Sequence, residues 1–209
     1  MTEGRHGRRW RRWTFRELHD ELIHDAGPTP VVIVGVDGRS GSGKTALARG
    51  LALSAPHTAV VHTDDLSWHH SFFGWADLLI TGILQPLRTE GAPLRYRPPA
   101  WGARGRIGDI HIPADTAVLV VEGVGACRPE VRPFLDTTVW VDVPPHVGLE
   151  RVTARGVDTP TFLADWHAAE VDHLAASQPW RHADIVIDGD AEHQTGTVVL
   201  SAGPGSHRT

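Results

Sequence analysis

Residues 38–45 read Gly38-Arg39-Ser40-Gly41-Ser42-Gly43-Lys44-Thr45, and this stretch decides the fold of the chain. It follows the phosphate-binding pattern G-x-x-x-x-G-K-[ST]. The apolar, β-branched run of residues 31–37 directly precedes it and is typical of a buried strand. Residues 46–52 follow it and predict a helix. A strand, a glycine-rich loop and a helix in this order indicate a site for a nucleoside triphosphate.

The chemistry of triphosphate binding explains this spacing. Glycines let the backbone wrap closely, so that successive N–H groups face the phosphate oxygens, and the following helix directs the positive end of its dipole there. Lys44 is predicted to reach the β- and γ-phosphates, and Thr45 to ligate Mg²⁺. Lys44 is the only lysine of the chain, so the pattern can match at one place only. The predicted ATP site comprises Gly38, Ser40, Gly41, Ser42, Gly43, Lys44 and Thr45, with Mg²⁺ as the accompanying metal.

The composition is that of one ordinary globular domain. Hydrophobic residues make up 41% and charged residues 22% of the 209 residues. A net charge of −5 disfavours bulk nucleic-acid binding, and no apolar run is long enough to cross a membrane. The single cysteine, Cys127, excludes an internal disulfide framework, so we expect a reducing, cytoplasmic environment. The sequence leaves open whether the chain forms a homo-oligomer.

Two further predicted strands end in acidic residues. Residues 58–65 form one, which ends in Asp64 and Asp65, and residues 117–123 form the other, which ends in Glu122 and a glycine. In open α/β sheets, ligands collect at the carboxyl ends of the strands. One of the two aspartates is therefore predicted to accept a hydroxyl proton during phosphoryl transfer. Glu122 is predicted to help hold Mg²⁺, either directly or through water.

The rest of the chain predicts alternating helices and strands. A capping box at Thr14 and Glu17 predicts a helix over about 14–25. Helices are also predicted over 146–155 and 160–176, strands over 137–143 and 183–189, and a short strand over 198–200. We expect one domain over residues 14–200, between a solvated basic tail at 1–13, which could alternatively contact an acidic partner, and a flexible tail at 201–209.

Two arginines of the predicted helix 146–155 are candidates for phosphate binding. Arg151 and Arg155 are four residues apart, so they share one face of that helix. Two guanidinium groups on one face could clamp phosphates. The alternative is a solvated basic face without a ligand.

Residues 66–113 are predicted to form a long, mostly irregular excursion with one helix over about 77–84. Excursions of this length are usually functional, and aromatic faces and arginine forks suit a planar or sugar-like ligand. Any one of these aromatic residues could instead belong to the core. We therefore predict that the acceptor binds in this region, which contains Trp68, His69, His70, Phe72, Phe73, Trp75, Tyr96, Arg97, Trp101, Arg104 and Arg106.

The ordered motifs resemble the uridine kinase and phosphoribulokinase-like branch of the P-loop kinases. They are residues 34–45, Asp64-Asp65-Leu66, Glu122-Gly123-Val124, Leu149-Glu150-Arg151 leading to Arg155, and residues 183–187 as the last strand. The resemblance implies a three-layer α/β/α fold whose five-stranded parallel sheet has the order 2-3-1-4-5. It also implies that Asp64 is the general base, with Asp65 as the alternative. By the same resemblance, Glu122 helps to hold Mg²⁺, and Arg151 and Arg155 contact phosphates.

Two features depart from that family. The lid near residues 156–160 is short and nearly uncharged, whereas the lid of the family is rich in arginine. The pattern that holds uridine in the family is not recognisable between residues 66 and 113. The candidate acceptor contacts are Tyr96 and Arg97, within this region, and Asp65, directly before it. The acceptor therefore stays open between a nucleoside, a sugar, a pantothenate-like alcohol and an antibiotic.

These features predict an ATP-dependent kinase that phosphorylates a hydroxyl of a small nucleoside-like or sugar-like acceptor. The predicted catalytic residues are Asp64, Lys44, Arg151 and Arg155. The alternative is a nucleotide-binding regulatory protein without turnover. A GTPase is disfavoured, because its Asn-Lys-x-Asp motif needs a lysine and Lys44 already serves the phosphate loop.

Overall fold

The structure, a computed structural model, describes residues 3–4, 8–24, 29–191 and 197–204. Its strands are β1 (Glu3–Gly4), β2 (Arg8–Arg9), β3 (Arg11–Thr14), β4 (Val32–Gly38), β5 (Thr58–His62), β6 (Leu94–Tyr96), β7 (Ile110–Ile112), β8 (Val118–Glu122), β9 (Thr137–Asp142), β10 (Ile185–Asp188) and β11 (Thr197–Ala202). Its α-helices are α1 (Phe15–His24), α2 (Lys44–Ser54), α3 (Thr63–Ser67), α4 (Ala76–Leu79), α5 (Gln85–Thr89), α6 (Pro99–Ala103), α7 (Pro145–Arg155) and α8 (Pro160–Ser177).

The central sheet has seven strands among the described residues, in the order β3-β11-β10-β9-β4-β8-β5. The five strands from β10 to β5 are all parallel to their neighbours. Numbered along the chain, these five have the expected order 2-3-1-4-5. The prediction of a five-stranded sheet is nevertheless wrong, because β11 pairs antiparallel with β10, and β3 pairs antiparallel with β11.

The two added strands also displace the expected tail boundaries. Residue 13 lies inside β3 and residue 200 inside β11, so the expected boundaries at 13/14 and 200/201 both fall within the sheet. Trp10 is only 8% exposed and packs in a cluster with Trp140 and Val186. The charge run suggested a solvated tail, but Arg11 and Arg12 keep their side chains exposed while their backbones pair with β11. The rest of the expected tails, residues 1–2, 5–7 and 205–209, lies outside the described residues.

The sheet is buried on both faces, which gives the predicted three layers. Ile33, Leu119 and Val121 face one core, which is completed by the chain between β5 and β8. Val34 and Val120 face the opposite core, which α1 and α2 complete. Successive residues alternate between the two cores because side chains of a strand point to opposite faces. No helix of the described part of the chain is long and apolar enough to cross a membrane.

Residues 66–113 are more regular than expected. Helix α4, a π-helical turn at Ile80–Leu84 and α5 form one continuous helical segment, and β6 and β7 pair as an antiparallel hairpin. Leu79, Ile83 and Leu87 of the helical segment are fully buried. Their spacing of four residues is helical, and this apolar stripe, rather than local propensity, stabilises the segment. The expectation of a mostly irregular excursion is therefore wrong.

Helix α1 begins as its sequence predicts. The Thr14 N–H donates to Glu17 Oε2 at 2.7 Å, and the Glu17 N–H donates to Thr14 Oγ1 at 3.1 Å. This reciprocal pair is the expected capping box. The predicted helix end at residue 25 lies outside the described residues.

A buried carboxylate, Asp37, joins the start of the phosphate loop to the loop after β8. Asp37, near the end of β4, is 0% exposed and accepts backbone N–H groups from Gly38, Gly125 and Cys127 at 2.7, 3.0 and 2.9 Å. Burial raises the pKa of Asp37, and the three N–H donors and the nearby Lys44 charge oppose that rise. Because the three hydrogen bonds all come from donors, they favour the ionised form. Asp37 thereby fixes the loop after β8 against the end of β4.

We expect the substitution Asp37→Ala to lower the free energy of unfolding by about 3 kcal/mol or more, because it leaves three buried N–H groups without an acceptor. Urea unfolding followed by circular dichroism measures this. Asp115→Ala is the control, since Asp115 pairs with His57 at the surface and should change stability by less than about 0.5 kcal/mol. Equal losses in the two variants would contradict a structural role for Asp37.

Candidate active site

The carboxyl ends of β4, β5 and β8 meet at one edge of the sheet and open into a cleft of about 630 Å³. Parallel neighbouring strands bring these ends together, although the three segments lie far apart in the chain. The cleft contains residues from the phosphate loop, α3, the loop after β8, the lid segment and α8. Its lining is Ser40, Gly41, Lys44, Thr45, Asp64, Ser67, Trp68, His69, His70, Phe72, Glu122, Gly123, Val124, Val152, Arg155, Asp158, Phe162, Leu163 and Trp166.

The phosphate loop turns tightly around the start of α2. Gly41 has a φ of +74°, and a Cβ atom there would lie 2.3 Å from the carbonyl oxygen of Gly148, so only glycine fits. Gly43, with a φ of +98°, immediately precedes α2. Four predicted loop residues line the cleft, and the other three, Gly38, Ser42 and Gly43, do not. The Ser42 N–H donates to the Arg39 carbonyl at 3.0 Å, so Ser42 shapes the turn.

Lys44 is buried at the inner end of the cleft, at 8% exposure. Its Nζ donates to the Arg39 carbonyl at 2.8 Å. Burial lowers the pKa of Lys44, whereas the carboxylates of Asp37, Glu122, Glu170 and Asp64 raise it. The ammonium is therefore held in place at the cleft, and its low exposure to water strengthens its attraction for an anionic ligand.

Thr45 and Glu122 are brought together as the sequence predicts. The Thr45 hydroxyl donates to Glu122 Oε1 at 3.1 Å, and His62 Nδ1 lies 2.5 Å from the same oxygen. The hydrogen bond to Glu122 raises the pKa of His62. Among the described residues, no group of three or more His, Cys, Asp or Glu side chains could hold a metal. Two adjacent oxygen ligands nonetheless fit Mg²⁺, which commonly takes one or two protein ligands and completes its shell with phosphate oxygens and water.

The two consecutive aspartates of α3 have different environments. Asp64 lines the cleft and is exposed to it, and partial loss of water there, followed by the Glu122 charge, raises the pKa of Asp64. Asp65 Oδ1 accepts from Arg106 at 2.5 Å, and its backbone carbonyl accepts from the Trp101 indole at 2.9 Å. Adjacent residues of a helix point about 100° apart. Only one of the two acids can therefore face the cleft, and it is Asp64.

One of the two predicted arginines reaches the cleft. Arg155, at the end of α7, lines it, together with Asp158 of the lid. Arg151 instead donates to the Gly189 carbonyl at 2.8 Å and lies 3.2 Å from Asp190. It is also 3.4 Å from the Gly41 carbonyl. Arg151 thus contacts the backbone of the phosphate loop and does not line the cleft. The sequence placed both arginines on one helical face and could not predict that only Arg155 would reach the cleft.

The predicted acceptor contacts Tyr96 and Arg97 do not line this cleft. The ring of Tyr96 packs against Gly82 of the helical segment, and Arg97 donates to the Arg106 carbonyl at 2.7 Å. Tyr96 is the last residue of β6 and pairs with Ile110 of β7, and Arg97 directly follows that strand. Asp65 is also absent from the lining, because Arg106 holds it on the other side of α3.

An aromatic wall takes the place of those contacts. Phe72 meets Phe162 and Trp166 edge-on, with ring centroids 5.6 and 5.1 Å apart. Phe73 stacks between Trp166 and His173, at 5.4 and 4.2 Å. Phe162 and Trp166 both belong to α8, and Phe162 is 43% exposed. Their i, i+4 spacing placed them on one face of a helix, but no pattern in the sequence indicated what that face contacts.

Comparison with known proteins identifies the fold. No protein-family model matches the chain, and no curated protein sequence matches it. The structure is similar to one described as a possible uridine kinase from Bacillus stearothermophilus, with 22% identity, a TM-score of 0.58 and coverage of 82% of this chain and 96% of that one. It is also similar to a "putative fructose transport system kinase" from Silicibacter sp. TM1040, with 17% identity, a TM-score of 0.50 and coverage of 80% and 91%. The chain therefore has the fold of the P-loop kinases that its motifs resemble.

The aromatic wall predicts a pH dependence of stability. Burial, and then the Arg128 charge, lowers the pKa of His173 to about 4, while Glu130 opposes this. The unfolded chain takes up the proton near pH 6.5 and the folded chain does not, so stability is full above pH 6.5 and falls as the pH drops toward 4. We expect this group to cost on the order of 1 kcal/mol between pH 7 and pH 5, after allowance for its partial exposure.

Urea unfolding at pH 7 and pH 5 measures this effect. In His173→Phe, which keeps a ring against Phe73, the loss of stability on acidification should be smaller than in the wild type by that amount. An equal loss in both proteins would show that His173 does not resist protonation.

Proposed function

We propose that the protein is an ATP- and Mg²⁺-dependent kinase that phosphorylates a hydroxyl of a small, nucleoside-like or sugar-like acceptor. The observation that carries this proposal is the convergence of Lys44, Thr45, Glu122 and Asp64 on one cleft at the sheet edge. A phosphate loop supplies a site for the triphosphate, and a carboxylate beside it supplies a base for an acceptor hydroxyl. The two similar structures are described as kinases, which supports the same assignment at the level of the fold.

The phosphate loop would bind the triphosphate of ATP through its backbone N–H groups, the start of α2 and the Lys44 ammonium. Thr45 and Glu122 would hold Mg²⁺, which supplies charge neutralisation on the phosphates. His62 stabilises the Glu122 carboxylate by donating to Oε1, and thereby orients it toward Thr45. The hydrogen bond between Thr45 and Glu122 shows that the two ligands are already adjacent.

Asp64 would act as the general base. Its carboxylate is the acid of α3 that faces the cleft, whereas Asp65 is engaged by Arg106. A pKa raised by partial desolvation makes Asp64 a better proton acceptor than an ordinary surface carboxylate. The base therefore lies on the same side of the cleft as Lys44, which can neutralise the transferred group.

Arg155 would contribute the second cation of the cleft. It belongs to the last turn of α7, next to the lid segment at 156–160, and is exposed. An exposed guanidinium at the cleft rim can contact phosphate oxygens when the lid approaches. We assign Arg151 a different task, because its bonds to Gly189 and Asp190 hold α7 against the segment after β10, and its contact with the Gly41 carbonyl joins α7 to the phosphate loop.

The acceptor would bind against the aromatic wall. Trp68, Phe72, Phe162 and Trp166 line the same cleft as Asp64. Aromatic faces suit a flat base or the apolar face of a sugar ring. The similar structure described as a possible uridine kinase is consistent with a nucleoside-like acceptor. The alternative is a regulatory protein that binds nucleotide without turnover, and no observation favours it. The Asp64 carboxylate, which lines the cleft together with the phosphate loop, favours turnover instead.

The substitution Asp64→Asn should lower kcat by about 100-fold or more and leave ATP affinity within about threefold, because a general base acts in the transition state rather than in nucleotide binding. An ADP-release assay with ATP, Mg²⁺ and a panel of nucleosides, sugars and vitamin alcohols measures the rate. Asp65→Asn is the discriminating variant and should retain far more turnover. A greater loss in Asp65→Asn than in Asp64→Asn would reverse the assignment of the base.

The substitution Glu122→Gln should raise the Mg²⁺ concentration needed for half-maximal activity by about tenfold or more, since it removes the charge of one metal ligand. The same assay with a Mg²⁺ titration measures it. Glu150→Gln, on the exposed face of α7, removes an equal charge away from the cleft and should leave the Mg²⁺ requirement unchanged. A shared shift in both variants would indicate a general charge effect.

A further inference from the structure

The backbone N–H and the hydroxyl of Ser40 in the phosphate loop are both held by one helix, α8. The Ser40 backbone N–H donates to Glu170 Oε1 at 2.6 Å. The Trp166 indole N–H donates to Ser40 Oγ at 2.8 Å. Glu170 is buried, at 4% exposure, and α8 begins directly after the lid segment. The proposed reaction assigns no role to these contacts.

The direction of these hydrogen bonds determines what Ser40 can still do. An indole nitrogen is a donor only, so Ser40 Oγ must be the acceptor in its bond with Trp166. The hydroxyl hydrogen is then left for another partner, because the Ser40 hydroxyl donates no hydrogen bond to any of the described residues. The Ser40 N–H is already used by Glu170. Ser40 can therefore serve a ligand as a hydroxyl donor, but not through its backbone.

The position of Ser40 selects the ligand atoms that this hydroxyl could reach. Ser40 and Trp166 line both the cleft and a small neighbouring recess, whereas Glu170 lines the recess and not the cleft. Lys44 Nζ donates to the carbonyl of Arg39, which belongs to the same peptide group as the Ser40 N–H. In a loop of this pattern, the lysine serves the β- and γ-phosphates. Ser40 is therefore the residue next to the carbonyl that Lys44 contacts, and both residues line the cleft in which the terminal phosphates would bind.

We propose that Trp166 is a positioning residue that orients the Ser40 hydroxyl as a donor to the terminal phosphoryl group of ATP, while Glu170 fixes the Ser40 backbone from outside the cleft. This inference rests on the proposed ATP site. It adds a function that the motifs do not contain. Trp166 and the Ser40 hydroxyl together distinguish a triphosphate, whose terminal phosphoryl group reaches the hydroxyl, from a diphosphate, which lacks that group. Because α8 directly follows the lid, the same contacts also link the lid to the phosphate loop.

The packing of Trp166 makes the proposal testable by a small change. Its ring stacks on Phe73 at 5.4 Å with an interplanar angle of 23°, and meets Phe72 edge-on. These ring contacts do not use the indole N–H. Trp166→Phe therefore removes the hydrogen bond to Ser40 and keeps an aromatic ring in the wall.

The experiment measures the dissociation constants of ATP and ADP, each with Mg²⁺ and without an acceptor, by isothermal titration calorimetry. The proteins are the wild type, Trp166→Phe, Ser40→Ala and the double variant. We expect each single variant to bind ATP about tenfold more weakly and ADP less than twofold more weakly, as for the loss of one hydrogen bond to a charged group. The double variant should bind ATP no more weakly than Ser40→Ala, because the indole acts only through the Ser40 hydroxyl.

The matched control is Trp101→Phe, which removes the indole hydrogen bond to the Asp65 carbonyl and leaves the phosphate loop untouched. It should bind ATP and ADP like the wild type. Equal weakening of ATP and ADP in Trp166→Phe would show that Trp166 only supports the fold of the loop. Unchanged ATP binding, or additive losses in the double variant, would also overturn the proposal. The calorimetric titrations contain no acceptor, so their outcome does not depend on turnover. Tight ATP binding without turnover in the separate kinase assay would refute the proposed function and leave this inference standing.

Discussion

The buried carboxylate of Asp37 is the constraint on which the site depends. It lies just before the phosphate loop and receives N–H groups from the loop itself and from the segment after β8. A charge without water must be fully hydrogen-bonded, so these two segments can adopt only the arrangement that satisfies it. Because Glu122 ends β8 directly before that segment, Asp37 also fixes how Glu122 approaches Thr45.

The parallel strand order converts this local constraint into a site. Strand β8 lies between β4 and β5, so the phosphate loop, Glu122 and α3 meet at one edge although they are distant in sequence. The helical turn of α3 then separates the two aspartates, one into the cleft and the other toward Arg106. The cleft therefore combines the Lys44 ammonium, the adjacent oxygens of Thr45 and Glu122, and the Asp64 carboxylate, whose pKa is raised.

Helix α8 lines the cleft through Phe162, Leu163 and Trp166, and it contacts the phosphate loop directly. Trp166 belongs to the aromatic wall and also donates to Ser40, so one side chain contacts both the proposed acceptor site and the phosphate loop. The short, nearly uncharged lid segment joins α7 to this helix. Residues 156–160 contain no arginine, and α8, which follows them, contacts the phosphate loop through Trp166 and Glu170. The structure thus places the aromatic and hydrogen-bonding function of this wall on α8.

The sequence by itself determined the features that depend on neighbours in the chain. These are the phosphate loop with its flanking strand and helix, the acids at two strand ends, and the capping box of α1; the order of the five parallel strands followed from the family resemblance. Only the tertiary structure decided the two antiparallel edge strands, the separation of Asp64 from Asp65, the withdrawal of Tyr96 and Arg97 from the cleft, and the contact of Trp166 with Ser40. The physical reason is the sequence separation of the interacting residues. Glycine conformations, helix caps and hydrophobic periodicity depend on residues that are close together in the chain. Strand pairing at an edge and the direction of a side chain in a cleft instead depend on segments as far apart as β3 and β11, whose meeting no local pattern encodes.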